Sequence, residues 1–158
     1  MKIVDNFLSK EDFTNIIALV CNNFFPWYYQ DHKVNPRDGF LQFTHTAYSN
    51  SQPHSNLYDQ LTPLFKKINF KSLLRCKLNM SLKTDKIISS QFHTDYDFKC
   101  TTAIYYLNTN NGKTIFKKSK QEVKSVANRL VTFDSLLEHA GTSHTDTDTR
   151  LVLNLNYF

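Results

Sequence analysis

Apolar and polar positions change rhythm about halfway along the chain. Near the N-terminus, "KIVDNFLS" reads as a short edge strand and a turn. Ser9 then caps a helix. Glu11 and Asp12 fall in its first turn, where carboxylates suit the positive helix end. Phe13, Ile16, Ile17 and Val20 recur at helical spacing, and the helix should stop before Pro26. "GFLQFTHTAYS" alternates loosely and predicts a strand, and "NLYDQLTPLFKKI" predicts a second helix, irregular near Pro63. From Lys71 onward the period drops to two. "SLLRCKLNMSL", "CTTAIYYLN", Thr114 to Phe116, "NRLVTFDS" and "TRLVLNLNYF" read as strands rich in β-branched and aromatic residues. The Asn-Gly of "NTNNGKTIF" predicts a hairpin between the second and third of these. Two helices followed by about seven short strands point to helices packed on a β-sandwich or barrel. The expected organisation is one domain over residues 1–158, with residues 1–70 as helical support and 71–158 as the β core.

Composition narrows the class. The 158 residues are 41% hydrophobic and 14% aromatic, enough for a folded domain with a full core and too apolar for a disordered chain. The net charge is +5, carried mostly by lysines. A solvated surface accounts for this; attraction to an acidic partner is the functional alternative. The nearest approach to a basic block is "FKKSK" at Phe116 to Lys120. Cys21, Cys76 and Cys100 are widely spaced and form no C-x-x-C pair, which excludes zinc-ribbon and thioredoxin-like sites and suits free thiols in a reducing compartment. "MKIVDNFLSKEDF" is charged too early for a signal peptide, and no apolar run reaches the roughly 20 residues of a membrane helix. The expectation is a soluble cytoplasmic protein without a membrane partner.

Candidate chemistry centres on "QFHTDYD". Residues i and i+2 of an extended strand share a face, so His93 and Asp95 can aim an imidazole and a carboxylate at one point. His139 follows a strand and a short loop, and Arg150 comes 11 residues later, a gap suited to a hairpin that sets the two strand ends side by side. His93, Asp95 and His139 would then make a two-histidine, one-carboxylate triad of the kind that leaves three positions open on Fe(II). His144 rivals His139, and Asp97 rivals Asp95. Arg150 would grip a carboxylate bidentately; the alternative is an ion pair with Asp146 or Asp148. Asn154 and Asn156 share the face of Arg150 and need hydrogen-bond partners there. Trp27, Tyr28 and Tyr29 are core packing or, if exposed, part of a substrate lid formed by residues 26–50.

The order H-x-D, an apolar strand, N-G-x-T-x-F, R-L-V-x-F, H-x-G and a late arginine resembles the Fe(II)/2-oxoglutarate-dependent oxygenases, most of all their prolyl hydroxylase branch, over about Lys71 to Phe158. The resemblance implies a double-stranded β-helix, or jelly roll, with supporting helices. It implies His93, Asp95 and His139 as iron ligands and catalytic centre, and it selects His139 over His144. It assigns Arg150 and Tyr106 to the far carboxylate of 2-oxoglutarate, Thr102 to the same pocket and Asn79 to the near carboxylate. Fe(II), 2-oxoglutarate and dioxygen are the implied cofactors, with ascorbate as reductant. The implied reaction hydroxylates a C–H bond, with a peptidyl proline as substrate and a peptide or protein as partner. Asp95 speaks against the halogenase variants of the family, which lack this carboxylate. Nucleic-acid bases or small molecules are the alternative substrates, though a second arginine expected on the last strand of nucleic-acid demethylases is missing. A jelly roll that binds metal without turnover is the non-enzymatic alternative.

Overall fold

The computed structural model describes residues 1–35 and 40–158. Strand β1 is Lys2–Val4, helix α1 is Lys10–Val20, β2 is Tyr28–Gln30, β3 is Gln42–Ser49 and β4 is Gln52–Pro53. Helices α2 (Leu57–Gln60) and α3 (Thr62–Ile68) follow. The C-terminal strands are β5 (Leu73–Leu82), β6 (Thr101–Tyr106), β7 (Lys113–Phe116), β8 (Glu122–Lys124), β9 (Arg129–Asp134), β10 (His139–Gly141) and β11 (Thr149–Tyr157). The Ser9 cap forms as expected: its hydroxyl accepts from the Asp12 amide at 3.1 Å. The predicted second helix is two short helices. Pro63 lies in the first turn of α3, where its missing N–H is harmless, so the helix restarts at Thr62 instead of running through.

The strands form a large antiparallel sheet in the order β1-β9-β6-β11-β5-β3-β2, with β4 attached to β3, and a small sheet in the order β10-β7-β8. Period-2 alternation divides the core in two. Outward-facing Tyr105, Leu130, Leu151, Leu153, Leu155, Cys76 and Leu78 pack under Ile16 and Val20 of α1 and under Leu57, Leu61 and Leu64. Inward-facing Ile104, Tyr106, Val131, Phe133 and Val152 meet Phe116 and Val123 of the small sheet. Two stacked antiparallel sheets with helices on the outer face of the larger one are the expected jelly roll. Residues 1–70 are less helical than expected, because they also contribute β1 to β4.

Two expected connections are absent. Strands β6 and β7 are not a hairpin: β6 lies between β9 and β11, whereas β7 lies between β10 and β8 in the other sheet. The Asn-Gly turn is a crossover between sheets. Asn110 Oδ1 accepts from the Gly112 amide at 3.0 Å, an Asx turn that bends the chain out of one sheet into the other. Likewise β10 and β11 are in opposite sheets, so His139 and Arg150 face each other across the sandwich instead of along a hairpin. All three cysteines are free thiols, and no helix among the described residues is long and apolar enough to cross a membrane. Of the segment 26–50, residues 36–39 lie outside the described residues. Within the rest, Tyr28 and Tyr29 are 59% and 57% exposed, whereas Trp27 packs against the core with its indole N–H on the Val20 carbonyl.

Candidate metal and anion site

A cavity of about 280 Å³ opens between the two sheets. Its floor is the inner face of β5 and β11, paired so that Arg150 neighbours Ser81, Val152 neighbours Asn79, Asn154 neighbours Lys77 and Asn156 neighbours Arg75. Arg75, Lys77, Asn79 and Ser81 all line the cavity, as period 2 requires. Its other walls include His93, Asp95, Thr114, His139, Gly141 and Lys33.

His93 and Asp95 do not lie in a regular strand. Residues 83–100 form a long, largely irregular connection from β5 to β6. Loops of this length in a compact domain usually serve function. His93 is fixed in it by a bridge to His139: each backbone N–H donates to the other's carbonyl at 3.0 Å. The bridge extends the small sheet beyond β10 and sets the imidazole rings 4.7 Å apart. Convergence with Asp95 therefore comes from the bridge and the loop, not from strand alternation. One donor atom from each of His93, Asp95 and His139 lies within 4.8 Å of the others.

The arrangement suits a divalent metal. His93 Nδ1 lies 3.2 Å from the Gln91 carbonyl and His139 Nδ1 lies 3.0 Å from the Leu137 carbonyl. A carbonyl only accepts, so Nδ1 carries the proton in both rings and Nε2 offers its lone pair to the cavity. Burial lowers the pKa of His139, which favours the neutral ligand form. The Asp95 carboxylate is 4% exposed. Its Oδ2 accepts from Thr102 Oγ1 at 2.9 Å and from Asn156 Nδ2 at 2.9 Å, with Asn154 Nδ2 at 3.4 Å. Its Oδ1 accepts from Arg75 Nη2 at 3.2 Å. Burial is the largest influence on Asp95 and pushes its pKa up. The charges of Arg75 and His139 and the bonds from Asn156 and Thr102 together outweigh it and hold the carboxylate ionised. Two neutral imidazoles and one carboxylate are a donor set for Fe(II) with open positions.

Arg150 supplies the second half of the site. It is 4% exposed, its Nε donates to Ser125 Oγ at 2.9 Å and its guanidinium lies 5.7 Å above the Tyr106 ring. Burial lowers its pKa. No carboxylate among the described residues pairs with it; Asp146 accepts instead from the Asn111 amide. A buried guanidinium without an anion is costly, so this one is built for an anion that comes from outside the chain. Gly112 leaves the room it occupies. A Cβ there would stand 2.8 Å from Arg150 Cδ and 2.8 Å from Asn110 Oδ1. Gly112→Ala should displace the guanidinium, weaken carboxylate binding in the cavity roughly tenfold and cost about 1–3 kcal/mol of stability, to be read by calorimetric titration with a dicarboxylate and by thermal melting.

The other candidates divide. Asn79 lines the cavity. Thr102 does not; it is fully buried, and its hydroxyl serves Asp95 while accepting from Asn156 at 2.9 Å. Tyr106 is fully buried too, and its hydroxyl donates to Thr114 Oγ1 at 2.7 Å. Thr114, which sequence reasoning did not single out, is the group that reaches the cavity wall. Tyr105 points the other way, into the helix-side core, with its hydroxyl on Asn128 Oδ1. His144 is buried away from the cavity and Asp97 is exposed outside it. Asn154 and Asn156 orient Asp95, a role for which only their shared face with Arg150 gave a hint. Because Thr102 and Asn156 fix Asp95 without lining the cavity, Thr102→Val and Asn156→Ala should each lower divalent-metal affinity about 10- to 100-fold. At saturating metal, affinity for a carboxylate ligand at Arg150 should stay within about twofold of wild type, which separates them from Arg150 variants.

Solved structures share this architecture. A prolyl hydroxylase from Trichoplax adhaerens, in complex with a hypoxia inducible factor oxygen degradation domain peptide fragment, superposes with a TM-score of 0.71 at 15% identity, over 99% of this chain and 82% of that one. A 2OG-Fe(II) oxygenase family oxidoreductase from Burkholderia pseudomallei gives 0.70 at 14% identity, over 98% and 83%. The fold is that of the 2-oxoglutarate/Fe(II) oxygenases. A non-heme α-ketoglutarate dependent epimerase of nogalamycin biosynthesis also superposes, at 0.69 and 13% identity over 99% and 76%. The oxygenase fold thus carries more than one reaction, and the substrate has to be argued from the site. No family model matches the chain, and no curated protein matches it in sequence.

Proposed function

We propose that the protein is an Fe(II)- and 2-oxoglutarate-dependent dioxygenase that hydroxylates a C–H bond of a peptidyl proline. The observation that carries the reading is the pairing of two features in one cavity. Three metal-donor side chains converge on one wall, and a buried guanidinium without a counter-ion among the described residues stands on the floor. Metal binding alone would not need Arg150 there; a bidentate cosubstrate with a distal carboxylate needs both. When bound, Fe(II) with dioxygen supplies the oxidation that turns C–H into C–OH as 2-oxoglutarate loses carbon dioxide and becomes succinate.

The chain's own groups do the placing. His93, Asp95 and His139 hold the metal, and Thr102, Asn156 and Arg75 keep Asp95 ionised and aimed. Arg150 takes the far carboxylate, and the Tyr106–Thr114 hydroxyl pair stands beside it. Asn79, between the two ends on the β5 floor, faces the cosubstrate. Asn154 Oδ1, buried and without a hydrogen-bond partner among the described residues, offers an acceptor to whatever fills the cavity. The apolar lining from Ile104 and Val152 limits water around the reacting carbon.

A peptide substrate is supported by the sheet edge. Strand β2 ends the large sheet, and its Gln30 pairs with Gln42, which lines the cavity. An extended peptide can add to that edge through main-chain hydrogen bonds, beside exposed Tyr28 and Tyr29, and present one residue to the cavity. The likeness to a hydroxylase solved with a peptide agrees with this.

The test is anaerobic addition of Fe(II) and 2-oxoglutarate, read by the weak visible charge-transfer absorption of the chelate. Wild type should show the band and His139→Ala should lose it. Folded, metal-loaded wild type without a band would refute the reading. Proline peptides are then screened for a product heavier by one oxygen atom.

A further inference from the structure

Charge on the cavity wall is out of balance. Among the described residues, Arg75, Lys77 and Arg150 line it with one carboxylate, Asp95. A divalent metal and a doubly negative cosubstrate cancel each other, so the surplus persists in the loaded site. Arg150 is accounted for by the cosubstrate and Arg75 in part by Asp95. Lys77 is not. It sits on the cavity face of β5 between Arg75 and Asn79, opposite Asn154, and therefore beside the metal end of the site. No carboxylate or hydrogen-bond acceptor among the described residues meets its ammonium. Burial and the Arg75 charge both work against its protonation, Asp95 working weakly in its favour. Two like charges two residues apart on one strand face repel, and a protein keeps such a pair where an anion joins them. Arg75 is braced to meet such an anion. Its Nε donates to Asn156 Oδ1 at 3.1 Å, the Tyr96 ring lies 5.7 Å from its guanidinium, and its side chain is 31% exposed.

We propose that the peptide substrate is acidic, and that Lys77, with Arg75, receives an Asp or Glu carboxylate adjacent to the target residue. The inference rests on the peptide hydroxylase reading above and adds a specificity determinant to it. A proline is neutral and apolar; set alone against this face it would leave Lys77 unanswered, with Arg75 answered only in part by Asp95. A carboxylate one residue along answers them while the proline ring faces Ile104 and Val152. The same pair makes the chain selective against a neutral twin, because binding the twin desolvates Lys77 without compensation.

The experiment uses two fluorescein-labelled proline peptides of the same length, one with Asp and Glu flanking the proline and one with Asn and Gln. Binding to the full chain loaded with Mn(II), which is redox-silent, and 2-oxoglutarate is read by anisotropy. Wild type should bind the acidic peptide about tenfold or more tighter. Lys77→Gln should bind both alike, and Lys77→Arg should keep the preference. The anaerobic Fe(II)/2-oxoglutarate band should persist in Lys77→Gln. Equal binding of the two peptides by wild type, no binding of either, or a preference that survives in Lys77→Gln overturns the proposal. So does loss of the band in Lys77→Gln, which would give Lys77 to the cosubstrate, and so does displacement of the acidic peptide by a single-stranded oligonucleotide at lower concentration than by unlabelled peptide. A wild type without the band brings down the oxygenase reading itself, whereas a band without acid preference brings down this inference alone.

Discussion

Replacing Arg150 with methionine should raise the melting temperature of the metal-free, cosubstrate-free protein while abolishing its response to 2-oxoglutarate. The two effects have opposite signs because one group causes both. Without ligands the guanidinium is buried with no counter-ion among the described residues, so methionine, of similar length and apolar, removes a desolvation cost. Loss of the Nε bond to Ser125 offsets part of the gain. A net gain of about 1 kcal/mol would raise the melting temperature by about 2–4 °C in a chain of this size. With 2-oxoglutarate present the balance reverses. Truncating one partner of a desolvated charge pair costs about 2–5 kcal/mol, which weakens cosubstrate binding at least about 30-fold. Wild type should therefore be stabilised by added Mn(II) and 2-oxoglutarate and Arg150→Met by Mn(II) alone. Arg150→Lys should recover a minor part of the affinity, since it keeps the charge and loses the two-pronged geometry. An Arg150→Met protein that melts lower than wild type and still responds to 2-oxoglutarate would mean that Arg150 is structural.

The contrast between legible and illegible parts of the site follows from the range of the forces involved. Strand positions, the Ser9 cap and the break at Pro63 were readable because alternation, capping and a missing N–H act over a few residues. That His93, Asp95, His139 and Arg150 share one cavity is legible because donor types in a given order are a chemical pattern. Their route to it is not. The Asn-Gly turn signals a hairpin locally, but β6 and β7 lie in opposite sheets, where Tyr106, Ile104 and Phe116 join one buried cluster between them. His93 and Asp95 needed a bridge to His139, a pairing 46 residues away in sequence that no local pattern encodes. Arg75 and Lys77 did carry a signal. In "RCKLNMSL" the polar residues alternate with buried Cys76 and Leu78, so four polar side chains share one face of a central strand. A polar face on such a strand means a lined cavity, yet of the four only Asn79 enters the sequence reading, and there through the family resemblance and not through the alternation. Thr102 and Tyr106 were placed on the correct inner face, but alternation gives the face and not the partner, and neither reaches the cavity.

The second large effect separates the two kinds of metal donor. Asp95→Ala and His93→Ala should both abolish Fe(II) binding, yet their effects on the metal-free fold should differ. Asp95 is the hub of a buried network. Its two oxygens take Thr102, Asn156, Asn154 and Arg75. Alanine leaves the Asn156 amide and the Arg75 guanidinium short of an acceptor, and breaking a buried pair by removing one partner costs about 3–5 kcal/mol. Arg75 is 31% exposed, so solvent relieves part of this and about 2–3 kcal/mol is expected. His93 is half-buried, and among the described residues its ring makes one hydrogen bond, to the Gln91 carbonyl. Its loss should cost under about 1 kcal/mol, since the bridge to His139 is made by backbone and survives the substitution. Urea unfolding of the two metal-free variants checks the difference. The double variant Asp95→Ala, Arg75→Met sharpens it. Removing the stranded cation together with its partner should restore about half or more of the lost stability, because the cost lies in the unpaired charge and not in the missing contact. If Asp95→Ala were as stable as His93→Ala, the carboxylate would not be the hub the hydrogen bonds describe. If the double variant were less stable than Asp95→Ala, Arg75 would stabilise the sheet by packing on Tyr96 and not through its charge.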